Sequence, residues 1–245
     1  GSFGSRSMSM GGSALKMAAD DVIEKGKKIA GHLLEAPASD VDFEDGEFRV
    51  AGTDRALALG AVAAAAYQPI GLPPGSGAGL EASAVFEGPF NFPNGCHLAE
   101  VEIDPETGAV EIAAYTAFDD VGVAVNPKLV AGQIHGGVAQ GIGQALLEAV
   151  TYDGESGQML SGSLMDYALP RAADIPAMEL GLAPSLSQAN PLGIKGAGEN
   201  GCLAAPPAVI NAILDALRPL GVTDIPMPAT AETVWQAMQK AAAKD

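Results

Sequence analysis

Between Gly132 and Gln144 the chain reads Gly-Gln-Ile-His-Gly-Gly-Val-Ala-Gln-Gly-Ile-Gly-Gln, five glycines set into a stretch with the apolar spacing of a helix. Each glycine costs about 0.8–1 kcal/mol in a helix interior relative to alanine. Gly132, Gly136 and Gly141, four and five residues apart, are expected near one helical face. Such a helix survives only if something offsets that cost: a second helix packed closely on the glycines, or a ligand pressed against the backbone. The residues alone leave both open. Gln133, Gln140 and Gln144 add amides that donate and accept hydrogen bonds, suited to the edge of a heterocycle. No Gly-Lys-Ser/Thr follows, so this is not a phosphate-binding P-loop. Gly141-Ile-Gly-Gln-Ala-Leu146 lacks the preceding strand of a dinucleotide fingerprint.

Around this stretch, helical and β patterns interleave. Ser13–Ala36 repeats apolar residues every three to four positions and reads as a helix. Val41–Gly52 carries Asp45-Gly46 between alternating apolar residues, a hairpin. Leu57–Tyr67 is an Ala-rich helix, and residues 69–79 are a Pro/Gly-rich linker. Ala82–Glu87, Leu98–Ile103 and Val110–Phe118 read as strands, the last two joined by Asp104-Pro-Glu-Thr-Gly108. Asn126-Pro127 caps a helix expected to run to Glu148. Pro206-Pro207 opens another through Leu217, and Thr230 caps a last one through Ala241. Without regular βαβ spacing the expectation is α+β, with one subregion at 1–68 and a second at 80–245.

Composition narrows the function. The 245 residues carry a net charge of −17, which repels nucleic acid and acidic membranes. No uninterrupted apolar run approaches the ~20 residues that span a bilayer, so membrane insertion is not expected. Cys96 and Cys202 lie far apart with no CxxC or Cys/His spacing, which argues against an iron–sulfur cluster or structural zinc within the chain. Few cysteines and no signal peptide suggest a cytoplasmic setting. The opening Gly1-Ser2 resembles a cloning remnant, and a start inside a Gly/Ser loop suggests a piece of a longer subunit.

Two further stretches can carry chemistry. Leu192-Gly-Ile-Lys-Gly-Ala-Gly-Glu-Asn-Gly201 places Glu199 among four glycines. A carboxylate so placed is either a general base tuned by its surroundings or part of a plain turn. Ser2–Ser13 offers hydroxyls, backbone N–H groups and Arg6 ahead of a helix, either an anion site or a frayed terminus. The remaining polar residues read as structural. His32 and His97 are surface or partly buried, and His135 is a lone helix histidine. Asp119-Asp120 is a strand-end turn without a third carboxylate for a metal, and Cys202 is a small buried apolar residue.

Taken in order, these segments resemble the molybdopterin-binding large subunit of the xanthine dehydrogenase family, which includes aldehyde oxidoreductases and aerobic carbon monoxide dehydrogenases. The resemblance rests on GSRS…GGSA, VEIDPETGAVEI with FDDVGVAVNP, GQIHGGVAQGIGQALLE, GSLMDYALPRAADIP, KGAGENGCLAAPPAVINAI and DIPMPATAETVW, and covers nearly the whole chain. It implies a molybdenum–molybdopterin cofactor, the cytosine dinucleotide being one form. It also implies a glutamate base, water-derived oxygen delivered to a small-molecule substrate, and electrons leaving through iron–sulfur and FAD subunits or domains. Carried over residue by residue, Glu199 is the candidate catalytic base. Gln133, Gly198 and the loop residues Phe3, Gly4, Ser5 and Ser7 are the candidate cofactor contacts. No residue is assigned as a metal ligand.

A family subunit extends several hundred residues further on its N-terminal side, and that part carries the copper-binding cysteine of the carbon monoxide enzymes. Cys202 does not correspond to it. The resemblance therefore implies the C-terminal portion of an oxidoreductase, inactive and cofactor-free in isolation, whose first partner is the N-terminal half of the same subunit. Two alternatives stand beside it. One is a non-catalytic assembly module that uses the Leu57–Ala66 helix and the Trp235 helix as interaction faces. The other is a flavin or nucleotide enzyme built on the glycine loops.

Overall fold

A computed structural model describes residues 3–68 and 70–243. Gly1 and Ser2 of the opening segment and Pro69 of the expected linker lie outside the described residues. The elements are α1 (Ser13–Leu33), β1 (Val41–Glu44), β2 (Glu47–Val50), β3 (Ala56–Ala58), α2 (Leu59–Ala66), β4 (Asn94–Ile103), β5 (Val110–Asp120), α3 (Pro127–Leu146), β6 (Met178–Leu182), α4 (Asn200–Leu217) and α5 (Ala231–Ala242). The fold is α+β.

Two compact units emerge, and they divide the chain differently from the sequence expectation. One is Met10–Gly88; the other joins Gly1–Ser9 to Pro89–Asp245. The break falls after the Pro/Gly-rich stretch, and the opening loop belongs with the later unit.

In the Met10–Gly88 unit, β1, β2 and β3 form an antiparallel sheet in that order. Asp45 and Gly46 both take positive φ, 49° and 80°, as a tight turn matched to strand twist requires. Phe48 is fully buried, and its ring lies where a β-carbon on Gly26 of α1 would stand. The end of the expected helix at Leu57 is instead β3, because Ala56–Ala58 pair with Glu47–Arg49 before the helix begins.

In the other unit, β4 and β5 are antiparallel and β6 adds to β5 in parallel. Ala82–Glu87, expected as a strand, lies in the Met10–Gly88 unit and forms none: these residues acquire no ladder partner. The β4–β5 ladder shifts register between Glu100 and Val101, which leaves Ala113 as an extra residue on β5. This bulge inverts the facing of everything after it. Unbroken alternation from Ile112 would bury Phe118; instead Tyr115, Ala117 and Asp119 are buried and Phe118 is 51% exposed.

Helix α3 starts at Pro127, with Asn126 Oδ1 accepting from the Leu129 N–H at 3.1 Å. Helix α4 begins at Asn200, well before the two prolines expected to open it, so Pro206 and Pro207 lie inside. Pro206 is buried against Gly141 of α3. With the turn that follows it, α4 is apolar and long enough to cross a bilayer, with mean hydropathy 1.2 over Asn200–Leu220. Its Ala205, Val209, Ile213 and Leu217 instead form the core with Ile134, Val138 and Ile142 of α3. Thr230 caps α5 through the Thr233 N–H.

Candidate functional site

The close packing of α3 and α4 accounts for part of the glycine run. A β-carbon on Gly141 would stand 2.7 Å from Ala205 Cβ, and one on Gly137 would stand 3.0 Å from the Cys202 nitrogen. From the other side, a β-carbon on Gly201 would be 2.4 Å from the Val138 nitrogen and 2.6 Å from the Ile134 oxygen. The two backbones touch here, which offsets the propensity cost through dispersion contact. Gly132 and Gly136 differ. They are exposed, with open space where a side chain would go. Gly141-Ile-Gly-Gln-Ala-Leu146 lies inside α3 rather than at a strand-to-helix turn, so it is no dinucleotide fingerprint.

Close contact between the helices puts the start of α4 beside the first turns of α3, and the 190–199 segment runs into that corner. It is held along its length. The Val123 N–H donates to the Gly193 carbonyl at 3.0 Å, and the Lys195 N–H to Val121 at 2.8 Å. Asn190 bonds both the N–H and the carbonyl of Ile194. Gly122, at φ 63°, admits the Gly193 carbonyl where a β-carbon would otherwise collide.

The opening loop closes the corner. Gly4 and Ser5 take positive φ, 58° and 53°, in a turn where the Arg6 N–H reaches the Phe3 carbonyl. The Arg6 guanidinium stacks on the Phe3 ring at 3.9 Å. A β-carbon on Gly196 would meet Ser5 Cβ at 2.7 Å, and one on Gly198 would lie 3.1 Å from both Gln133 Nε2 and Ser5 Oγ. Glycine is thus required at 196, and at 198 it keeps Gln133 and Ser5 close.

These residues border one cavity of about 420 Å³. Val121, Val123, Val125, Leu129 and Ile194 give it apolar walls; Ser5, Ser7, Asn126, Gln133, Lys195 and Gly198 supply polar groups. Of the sequence-predicted residues, Gln133, Ser5, Ser7 and Gly198 therefore converge. Phe3 and Gly4 form the adjoining turn and do not line the cavity. Glu199 follows Gly198 directly and stands exposed at the N-cap position of α4, its side chain making no capping bond. It thus sits at a helix start rather than in a free loop. Gln140 and Gln144 are exposed further along α3 and do not line the cavity.

Sequence reasoning missed the polar groups behind the loop. Asp119 and Asp120 are not an idle turn. On the buried side, Asp119 Oδ1 accepts from Asn200 Nδ2 at 3.0 Å and Oδ2 lies 3.3 Å from His97 Nε2. His97 Nδ1 is 2.8 Å from the Tyr115 hydroxyl. The side chains of His97 and Asp119 are 1% and 2% exposed, so His97, half-buried as a whole, turns its ring inward. Burial, then the Asp119 charge, pushes the Tyr115 phenol well above its usual range. On the other side, Asp120 Oδ2 accepts from Lys195 Nζ at 2.6 Å and from the Ser185 hydroxyl. Its Oδ1 accepts from the N–H groups of Gly122 and Ser185 at 2.9 and 3.0 Å. Burial works to raise the Asp120 carboxyl, but the Lys195 and Ser185 bonds outweigh it and hold it well below the usual carboxylate range. The available signal was the pair itself. Adjacent residues of a strand face opposite sides, so tandem aspartates at a strand end serve two different neighbourhoods.

The other singled-out residues are structural. His135 Nδ1 bonds the Ala131 carbonyl on its own helix. Cys202, half-buried, donates its thiol to the Glu199 carbonyl at 3.3 Å. Helices α2 and α5 bury Val62 and Ala66, and Val234 and Met238, as ordinary core helices do.

Comparison with known proteins follows the same outline. A family described as the molybdopterin cofactor-binding domain matches residues 1–176. The chain is similar to the carbon monoxide dehydrogenase large chain of Hydrogenophaga pseudoflava, 36% identical over 244 residues, which span 98% of this chain and 30% of that protein. Among solved structures, quinoline 2-oxidoreductase from Pseudomonas putida 86 superposes with a TM-score of 0.91 at 40% identity, covering 98% of this chain and 31% of that one. Reconstituted CO dehydrogenase from Oligotropha carboxidovorans superposes at 0.93 and 32%, covering 100% and 30%. The chain thus spans about 30% of the length of the relatives it matches.

Proposed function

Because this chain belongs to the molybdopterin cofactor-binding domain family, we propose that it is the C-terminal, cofactor-embracing portion of a molybdenum hydroxylase large subunit, with Glu199 as the catalytic base. The observation that carries this reading is the convergence of Gln133, Ser5, Ser7 and Gly198 on one cavity, with Glu199 the next residue along. The donor set fits the group. It offers amide, hydroxyl and backbone partners over apolar walls, as recognition of a heterocycle and its polar tail requires. Among the described residues no cluster of three His, Cys, Asp or Glu side chains is placed to hold a metal ion. When bound, the molybdenum–molybdopterin group, as the cytosine dinucleotide or another form, supplies the redox chemistry that oxidises a small substrate with water-derived oxygen.

The chain's own residues supply binding and proton transfer. The Gln133 amide pairs with ring-edge donors and acceptors. Ser5 and Ser7, set by the Phe3–Arg6 turn, offer hydroxyl and N–H groups to polar or anionic atoms. Gly198 lets the ligand approach the backbone. A Glu199 carboxylate oxygen takes a proton from the oxygen nucleophile presented to it. The cavity is one side of a cleft, and water is excluded only when the remaining part of the subunit covers it. The partners belonging to this reading are that N-terminal part and iron–sulfur and FAD subunits or domains. A reducing cytoplasm agrees with Cys96 and Cys202 being unbridged.

In the intact enzyme, Glu199→Gln is expected to lower kcat by about 10²–10⁴-fold, the usual worth of a general base, with molybdenum content unchanged. Turnover at the wild-type rate would show that Glu199 is not the base. Metal analysis separates the substrate classes: copper together with molybdenum favours carbon monoxide oxidation, and molybdenum alone favours aldehydes or heterocycles. A parent enzyme without molybdenum would leave a non-catalytic assembly role for the fold.

A further inference from the structure

The geometry points to Asp119 and Asp120 as positioning residues that hold Glu199 in place, gripping the 195–200 segment at both ends from a single strand terminus. The inference rests on the reading of Glu199 as base. Lys195, at the start of the segment, is tied to Asp120 at 2.6 Å. Asn200, at its end, is tied to Asp119 at 3.0 Å. Between them, Gly196 and Gly198 add little stiffness of their own, so the anchors act with the Ser5 contact at Gly196 and the first α4 bond, Leu203 N–H to the Glu199 carbonyl, to set where Glu199 stands.

The grip depends on the bulge in β5, which turns Asp119 toward the start of α4 while Asp120 faces Lys195. The room for it is built in. Gly95 stands opposite Asp119 in the ladder, where a β-carbon would lie 2.3 Å from Asp119 Oδ1. Ala117 opposes His97 and leaves space for that ring to reach both Asp119 and the Tyr115 hydroxyl. A packing role does not need this arrangement. Buried ionic groups are commonly replaceable by apolar residues without loss of stability. Asn200 Oδ1 is buried and without a partner among the described residues, a further polar cost at the same place. An unpaired buried amide oxygen and two charged groups converging on the two ends of the Glu199 segment indicate that position is what they serve.

The test uses the intact enzyme complex carrying Asp119→Ala, Asp120→Ala or Asp119→Asn, each alone and with Glu199→Gln. It reads backbone amide exchange at Lys195 and Leu203, whose N–H groups donate to the Val121 and Glu199 carbonyls at the two ends of the segment, together with kcat and KM. Each alanine variant is expected to speed exchange at the nearer of these two amides by about tenfold or more, while α3 amides keep their protection. Each should lower kcat by about tenfold or more with KM within about twofold, and add little loss on top of Glu199→Gln, because both act on one group. Asp119→Asn should restore most of the rate: its oxygen keeps the place facing His97, and with the Asn200 amide turned over its new N–H donates to Asn200 Oδ1. Unchanged exchange and kcat in the alanine variants, or losses that multiply with that of Glu199→Gln, would overturn the proposal. If Asp119→Ala does not fold, Asp120→Ala decides, since the Asp120 side chain is less buried than that of Asp119 and its partner Ser185 is exposed. If Glu199→Gln alone keeps the wild-type rate, the base reading fails, and the exchange data still decide whether the aspartates hold the loop.

Discussion

Gly136 and Gly201 should respond to alanine with opposite signs. At Gly136 a β-carbon meets nothing within 4 Å, so Gly136→Ala gains helix propensity without a steric penalty. The expected stabilisation is about 0.8–1 kcal/mol. At Gly201 the same carbon would stand 2.4 Å from the Val138 nitrogen and 2.6 Å from the Ile134 oxygen. Ordinary contact needs roughly 3.5 Å or more, so α3 and α4 must separate by about an ångström. Both clashing atoms are backbone, and no side chain can rotate aside. Overpacking costs about 1–3 kcal/mol, and the propensity gain at the first turn offsets only a few tenths of it, so the net loss is about 1–2.5 kcal/mol. For a chain of this size each kcal/mol moves Tm by about 2–4 °C. Gly136→Ala should therefore raise Tm by a few degrees, and Gly201→Ala should lower it by about 2–10 °C. Thermal and urea unfolding followed by circular dichroism measure both. A Gly201→Ala variant as stable as wild type would refute the backbone contact between the helices. Destabilisation by Gly136→Ala would refute the assignment of its open face.

Two further outcomes follow from local chemistry. Asn126→Ala removes the oxygen that accepts from the Leu129 N–H, and should cost about 1 kcal/mol in denaturant unfolding; an unchanged midpoint would show that the cap contributes nothing. Asp120→Asn should remove stability in a pH-dependent way. The folded carboxyl is held below its ordinary value, so its contribution is fully present above the unfolded aspartate pKa of about 3.9 and is lost as pH falls through the folded value. The gap between wild type and variant should be constant from neutral pH down to about pH 4 and narrow below it; a gap that widens on acidification would contradict the Lys195 pairing.

Local chemistry made much of the chain legible in advance. Asp45-Gly46 can only turn tightly, Asn126-Pro127 can only begin a helix, and Thr230 caps as its hydroxyl dictates. The glycine spacing near Gln133 demanded close approach by something, and the order of the motifs indicated the family. What stayed hidden depended on partners remote in sequence. Gly132, Gly136 and Gly141 do not share a face after all: about 3.6 residues per turn set Gly141 opposite Gly132 and pair it with Gly137, and that this second pair meets α4 while Gly132 and Gly136 stay open is a tertiary fact. Pro206-Pro207 was read as a helix start because proline is poor in helix interiors, yet packing of Pro206 against Gly141 retains it there.

The β5 bulge is the clearest case. By itself the sequence determined that Val110 to Phe118 is a strand, because alternating apolar residues after a Pro/Gly turn have little alternative. Which face each side chain takes depends on one extra residue, Ala113, whose place in the ladder is fixed by pairing with β4. That single-residue shift turns Asp119 into the core toward His97 and Asn200 and leaves Asp120 to Lys195. Strand periodicity is local and can be read from the chain. The phase of that periodicity past a bulge is set by hydrogen bonds to another strand, and only the folded structure decides it.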